Sequence, residues 1–462
     1  MTTRGVFVFL LLACATASGS AQSRARVVTL PPDALTLATN LSPQDRRSNF
    51  EALWKAIDTT YAGFALKHID WKDIGRRYRA RLTDVTTDDA FYRLLGQMVT
   101  ELRDTHSWLQ NYRDPPLLQV TSIAVDLLEG NPFVVAVRPG SDADQAGVKP
   151  GSQILNVDGV TAAKRMEALR PLLHGFSSER AFERDATRHL LAAEQSVPAK
   201  LFMREPNGDL LAATLAREPG PTTRRPELRP GFEITRRTNL EFGIHPSGAG
   251  YIRIPSFEPR AELDADFDAA LDALRNTPGL IIDLRDNTGG YSHPAMVGRF
   301  FDRRTKTTVS FIKSGPGHGT FRKQPGFDAP TGPWQYTRPV VLLVNDLTGS
   351  AADLFVAELG TSKRVTVVGT TTHGNVSGTA VYAVLPCNLV VRISNGYVTD
   401  ARGRAIEENG NAPDISVAPT LADLLAGRDR ALEKAAAVLH GKASSKPRGL
   451  RSNDHDRGLL VM

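Results

Sequence analysis

Two cysteines, Cys14 and Cys387, are all that the 462 residues contain. Whatever becomes of the N-terminal segment, Cys387 is left without a partner. No intrachain disulfide staples the fold, and a cysteine-based zinc site is excluded. Cys387 lies in a strand-like run, Ala383-Val-Leu-Pro-Cys-Asn-Leu-Val-Val-Arg392, and reads as core filler. Histidine is also scarce, at ten, and no His/Asp/Glu group has zinc spacing. No metal and no other cofactor is expected. Charge of one sign is missing too. The formal net charge is +6, spread along the chain except at the C-terminal tail, which leaves no footprint for a nucleic-acid partner. Past residue 22 no apolar run is long enough to cross a bilayer, and no internal repeat is visible.

What is present fits a globular protein, with 41% hydrophobic and 23% charged residues. The length calls for two or three domains. Residues 1–22 read as a targeting segment: Arg4 is the positive n-region, Gly5 to Ala13 a short apolar core, and Gly19-Ser20-Ala21 a small-residue cleavage site. An exported protein is expected, periplasmic or extracellular. Leu11-Leu12-Ala13-Cys14 also matches a lipoprotein box, and processing there would leave a lipid anchor on Cys14.

Four regions follow. Residues 42–113 read as helical, with apolar residues at three- and four-residue spacing in Phe50 to Ile57 and Phe91 to Leu102. Residues 116–218 hold short β-like runs, interrupted by a helical insert from Ser178 to Ala193. Residues 222–230 read as a linker or arm. Residues 235–420 alternate strands with helices, which predicts a layered α/β core. Residues 441–462 are polar and basic and are expected to be disordered.

The core carries the chemistry. The strand pattern Pro339 to Asn345 runs into Thr348-Gly-Ser-Ala-Ala-Asp353 and then a helix pattern, Ala351 to Leu359. A helix start offers unpaired N–H groups, so Ser350 there is either a nucleophile or a plain N-cap. Upstream, Phe133-Val-Val-Ala-Val-Arg-Pro-Gly-Ser141, Ala143-Asp-Gln-Ala-Gly-Val-Lys-Pro-Gly151 and Ile154-Leu-Asn-Val-Asp-Gly159 resemble a PDZ domain. Such domains bind an extended peptide at a sheet edge.

Four elements come in order: Gly250-Tyr-Ile-Arg-Ile254, Leu280-Ile-Ile-Asp-Leu-Arg-Asp-Asn-Thr-Gly-Gly290, Thr348 to Asp353, and Glu407-Glu-Asn-Gly-Asn-Ala-Pro-Asp414. Together they resemble the tail-specific (C-terminal processing) serine peptidase family over residues 45–420. The resemblance implies a ClpP/crotonase-like α/β core beside an N-terminal helical subdomain and a PDZ-like domain. It implies an oxyanion hole from the backbone of Gly289 or Gly290 with Ala351. Asp283, Arg285 and Asn287 read as turn-holding residues.

The family has two catalytic arrangements. The Ser–Lys dyad needs a lysine where Thr372-His-Gly-Asn-Val-Ser377 places Asn375, and an amide takes no proton. The other branch is that of the tricorn core and interphotoreceptor retinoid-binding protein. Its Leu-x-Asp-x-His motif is matched by Leu102-Arg-Asp-Thr-His106. That resemblance implies His106 as general base, with Thr105 and Glu407 completing a tetrad and Glu408 the alternative in register. Asn411 departs from the family's usual aliphatic residue. His373 is the rival base and, with Asn375, a candidate substrate contact. His293 is placed near the cleft mouth. The implied function is exported endopeptidase action on unfolded protein or peptide substrates, and the fold implies a homo-oligomer. The alternative is an inactive exported protein of the same fold that binds peptides or apolar ligands.

Overall fold

The computed structural model describes residues 24–29, 32, 35–112, 119–173, 176–193, 195–219 and 231–444. The leader with Cys14, the arm at 222–230 and the chain beyond 444 lie outside these residues.

A seven-stranded sheet forms the centre. Its order is Ile234–Arg236, Glu241–Ile244, Gly250–Arg253, Leu280–Asp283, Val340–Val344, Val365–Gly369 and Ile415–Ser416. The first two pairings are antiparallel and the other four parallel. Strands buried on both faces read as continuous apolar runs, as Leu280–Asp283 and Val340–Val344 do. Alternate side chains serve opposite layers. Ile282, Leu342 and Val344 pack with Phe267, Phe355 and Val356 from the helices Arg260–Ala273 and Ala351–Leu359. Ile281, Val341 and Leu343 pack with Leu432, Ala435 and Leu439 from the helix Arg430–Ser444. The core therefore reaches beyond residue 420. Residues 441–444 are helical, which corrects the expectation of disorder from 441.

The N-terminal helices are Pro43–Thr60, Trp71–Leu82 and Asp88–Thr100. They do not form a self-contained subdomain. Their apolar faces share one core with Val381, Ala383, Cys387, Val391 and Ile393. Those residues lie on or between the strands Ala380–Val384 and Val390–Ser394, which pair with Arg26–Val28 and Trp108–Leu109 in a separate four-stranded sheet. Late chain thus crosses into the early region and fastens it beside the core. Cys387 is buried there, as expected of core filler.

The PDZ-like unit is a sheet of Ile123–Leu128, Asn131–Val137, Gln153–Val157, Ala199–Arg204 and Leu210–Leu215. The helical insert is shorter than expected, spanning Glu179–Arg188. It turns toward the core: Arg180 donates to the carbonyls of Thr372 (2.6 Å) and His373 (3.2 Å), and Arg184 to that of Asp346. Among the described residues no helix is long and apolar enough to cross a membrane.

Candidate active site

Ser350 lies between the strand Val340–Val344 and the helix Ala351–Leu359. The turn between them is over-determined. Thr348 donates its hydroxyl to Leu284 O at 2.9 Å, Gly349 N–H donates to Asn287 O at 2.9 Å, and Ser350 N–H donates to Asn375 Oδ1 at 2.5 Å. These bonds hold Ser350 at φ 55°, ψ −119°, a region non-glycine residues avoid. Its hydroxyl caps nothing in the helix, which sets aside the plain N-cap reading.

The hydroxyl meets His106 instead, with Nε2 at 3.2 Å from Oγ. The two residues are 244 positions apart. His106 sits in a turn just past the helix Asp88–Thr100, where Asp104 Oδ1 accepts its backbone N–H at 2.7 Å. The ring's other nitrogen, Nδ1, is 3.1 Å from Thr105 Oγ1. For Nε2 to accept the Ser350 proton, Nδ1 must carry the ring hydrogen, and Thr105 is its acceptor.

Gly289 packs directly on this pair. A Cβ there would lie 2.6 Å from Ser350 Cβ and 2.9 Å from Ala351 N. Its φ of +105° and that of Gly290, +136°, suit glycine. The N–H of Gly289 is already donated to Asn287 Oδ1 at 2.8 Å. Those of Gly290 and Ala351 meet no protein acceptor among the described residues. Of the two glycines, Gly290 is the one whose N–H is not donated within the protein among the described residues. Asp283, Arg285 and Asn287 are structural, as expected: Arg285 bridges Asp283 and Asp429, and Asn287 Nδ2 donates to Ile254 O at 3.0 Å.

Other expected residues are placed differently. No hydrogen bond joins Glu407 to His106 or Thr105; it is buried, with Oε1 2.5 Å from Lys67 Nζ and Oε2 unpartnered. Glu408 is half-buried and faces Arg103 at 3.9 Å. Asn375 binds the Ser350 backbone, so its side-chain oxygen is engaged within the protein. His373 is buried beside the Ser350 turn, its N–H on Thr348 O at 2.8 Å and its Nδ1 unpartnered. His293 is no cleft-mouth residue. It is buried, with Nδ1 2.7 Å from Asp264 Oδ1 and Nε2 3.1 Å from Phe257 O. Among the described residues no cluster of three or more His, Cys, Asp or Glu could hold a metal.

Three family models match this chain: peptidase family S41 over residues 248–417, the tricorn protease C1 domain over 42–100, and a PDZ domain over 133–181. The α/β core of this chain thus matches peptidase family S41. A carboxyl-terminal-processing protease of Synechocystis sp. is 23% identical, covering 70% of this chain and 69% of the relative. A putative tricorn protease homolog of Streptomyces coelicolor is 25% identical over 79% of this chain, but only 30% of that longer protein is spanned. Mature CPAF shares the fold, with a TM-score of 0.72, 15% identity, and coverage of 88% of this chain and 98% of that one.

Around this site, three buried charged residues are given no role by the sequence. Asp353, on the first turn of the Ser350 helix, accepts from Thr372 Oγ1, from the N–H groups of Gly374 (2.9 Å) and Asn375 (3.2 Å), and from Asn411 Nδ2 (3.1 Å). Burial pushes its carboxyl up to about 6 against those bonds. Asn411, the departure from the family pattern, is thus a strut of the site. Asp104 is the fixed Asp of the histidine motif, but the motif gives it no role. Lys67 lies in a stretch without any motif.

Burial drives the His106 pKa down to about 4, so the imidazole is neutral and able to accept a proton at neutral pH. Its folded value lies below its unfolded value. The resulting stability is present above about pH 6.5 and is lost as pH falls toward 4. Between pH 7.5 and pH 5 the parent should lose roughly 2 kcal/mol more stability than His106→Ala. Urea unfolding of both proteins at the two pH values checks this. Equal losses would show that His106 titrates normally.

Proposed function

We propose that this S41 serine peptidase cleaves extended or unfolded polypeptides through an acyl-enzyme on Ser350, with His106 as general base. The observation that carries the reading is the 3.2 Å approach of His106 Nε2 to the hydroxyl of Ser350, a residue held at φ 55° whose side chain caps no helix. His106 takes the hydroxyl proton as Oγ adds to the scissile carbonyl. The N–H groups of Gly290 and Ala351 receive the oxyanion. His106 then passes the proton to the leaving amine, and water repeats the sequence on the ester. Thr105 steadies the ring through Nδ1. Glu407 supports the same turn from its buried position, its free oxygen available when substrate tightens the site. Asn375, at the dyad's lysine position, positions Ser350 and moves no proton. The relatives named for carboxyl-terminal processing suggest cleavage near a substrate's C-terminus, with the PDZ-like unit engaging that segment. The leader suggests export.

The test uses the chain from about residue 23 onward, with a fluorophosphonate probe and unfolded casein. Peptide mapping should find the label on Ser350, and casein should be hydrolysed. No label and no turnover would support the inactive binding-protein reading instead.

A further inference from the structure

Lys67 sits at the junction of three segments that meet at the site. Its side chain is 0% exposed and that of Glu407 4%. Nζ lies 2.5 Å from Glu407 Oε1 and also donates to the carbonyl of Arg103. Arg103 in turn donates its guanidinium to the carbonyl of Lys67. Arg103 has φ +48° and opens the turn that carries Asp104, Thr105 and His106. One ammonium therefore ties the loop at 61–70, the histidine turn and the glutamate turn together.

A buried ion pair is a poor source of net stability, because desolvation offsets the attraction, so the pair calls for another explanation. We infer that Lys67 is a positioning residue of the peptidase site, which holds Glu407 as a carboxylate beside the histidine turn. The inference rests on the Ser350–His106 reading above. Glu407 is faced by Lys67 and Asp104, with the Ser177 hydroxyl beside it and Tyr61 within electrostatic reach. Lys67 in turn acts on His106 and His373. Arg103 lies near Tyr61, and Arg392, Arg180 and Arg184 add charge on the histidines' side. Burial, with Asp104, pushes the Glu407 carboxyl up to about 7 even beside Lys67, which is the principal opposing charge. Without it, Glu407 takes up a proton and the turn loses its anchor.

The measurement is the pH profile of kcat/KM on a casein-derived peptide, beside the rate of fluorophosphonate labelling. For Lys67→Met, activity at pH 7 should fall at least about tenfold and the acid limb should move up by about one pH unit or more, with recovery toward the parent near pH 9. Lys67→Arg should keep the parent's limb. Glu407→Gln should lack a limb near neutrality. Lys67→Met/Glu407→Gln should match Glu407→Gln within about threefold, since both act through one carboxylate. A Lys67→Met loss that is uniform across pH, or no loss, would overturn the role of Lys67. If Lys67→Met alone does not fold, the charge-free double variant decides: activity far below that of Glu407→Gln overturns the proposal. A parent protein whose Ser350 is not labelled overturns the peptidase reading itself, a result distinct from either of these.

Discussion

Alanine at His106 is expected to lower kcat on unfolded casein by about four to six orders of magnitude, and alanine at Ser350 by a similar factor. The two should not add. Nε2 and Oγ lie 3.2 Å apart, and on the proposed mechanism, once either is gone the other has nothing to act on. The double variant should therefore be no slower than the worse single variant. What remains would reflect the N–H groups of Gly290 and Ala351 and substrate binding, which neither substitution removes. Burst-free steady-state assays on the three variants, with circular dichroism to confirm folding, check the claim. Near-parental activity in His106→Ala would place the base elsewhere. His373 would be examined next, since it is buried beside the nucleophile's turn with an unpartnered Nδ1.

The second large effect is expected from a methyl group. Gly289→Ala puts a Cβ 2.6 Å from Ser350 Cβ, 2.8 Å from Gly349 O and 2.9 Å from Ala351 N. Two of these atoms are backbone, so no side chain can swing aside. The residue would also keep φ near +105°, where an L side chain is strained. Strain and overpacking should together cost about 2–5 kcal/mol of stability. The turn can relieve them only by moving Ser350 and the Ala351 N–H, which should lower kcat by roughly 10²–10³. Gly130→Ala is the control. Its φ is +77° but nothing lies within 4 Å of the added Cβ, so it should cost strain alone and leave turnover intact. A Gly289→Ala protein with parental kcat would show that the turn can shift without disturbing the nucleophile.

Much of this was legible in the residues. The Leu280–Asp283 and Val340–Val344 strands announced themselves as uninterrupted apolar runs, because both faces of a parallel sheet are buried. The helix Ala351–Leu359 fell where its pattern placed it. Ser350, Gly289, Gly290 and His106 stood out because they sit in short local motifs, and such motifs encode backbone geometry that only certain residues adopt. The helical insert was visible as a pattern, but not that Arg180 and Arg184 would dock it on the loops beside Ser350.

The sequence by itself pointed to a serine peptidase through its resemblance to the tail-specific family: a serine at a strand-to-helix turn, a glycine pair, a histidine motif, and an asparagine at the position where the resemblance places a dyad lysine. These are statements about local backbone and single side chains, which local sequence carries. Tertiary structure alone decided which groups meet. It brought His106 to Ser350, gave the Gly289 N–H to Asn287 and so left Gly290 free, and set Glu407 on Lys67, 340 positions away. It also showed that strands at 380–394 complete the N-terminal core. Contacts between residues hundreds of positions apart depend on how the layers pack, and packing follows from the burial of many side chains together. No spacing within the sequence records it.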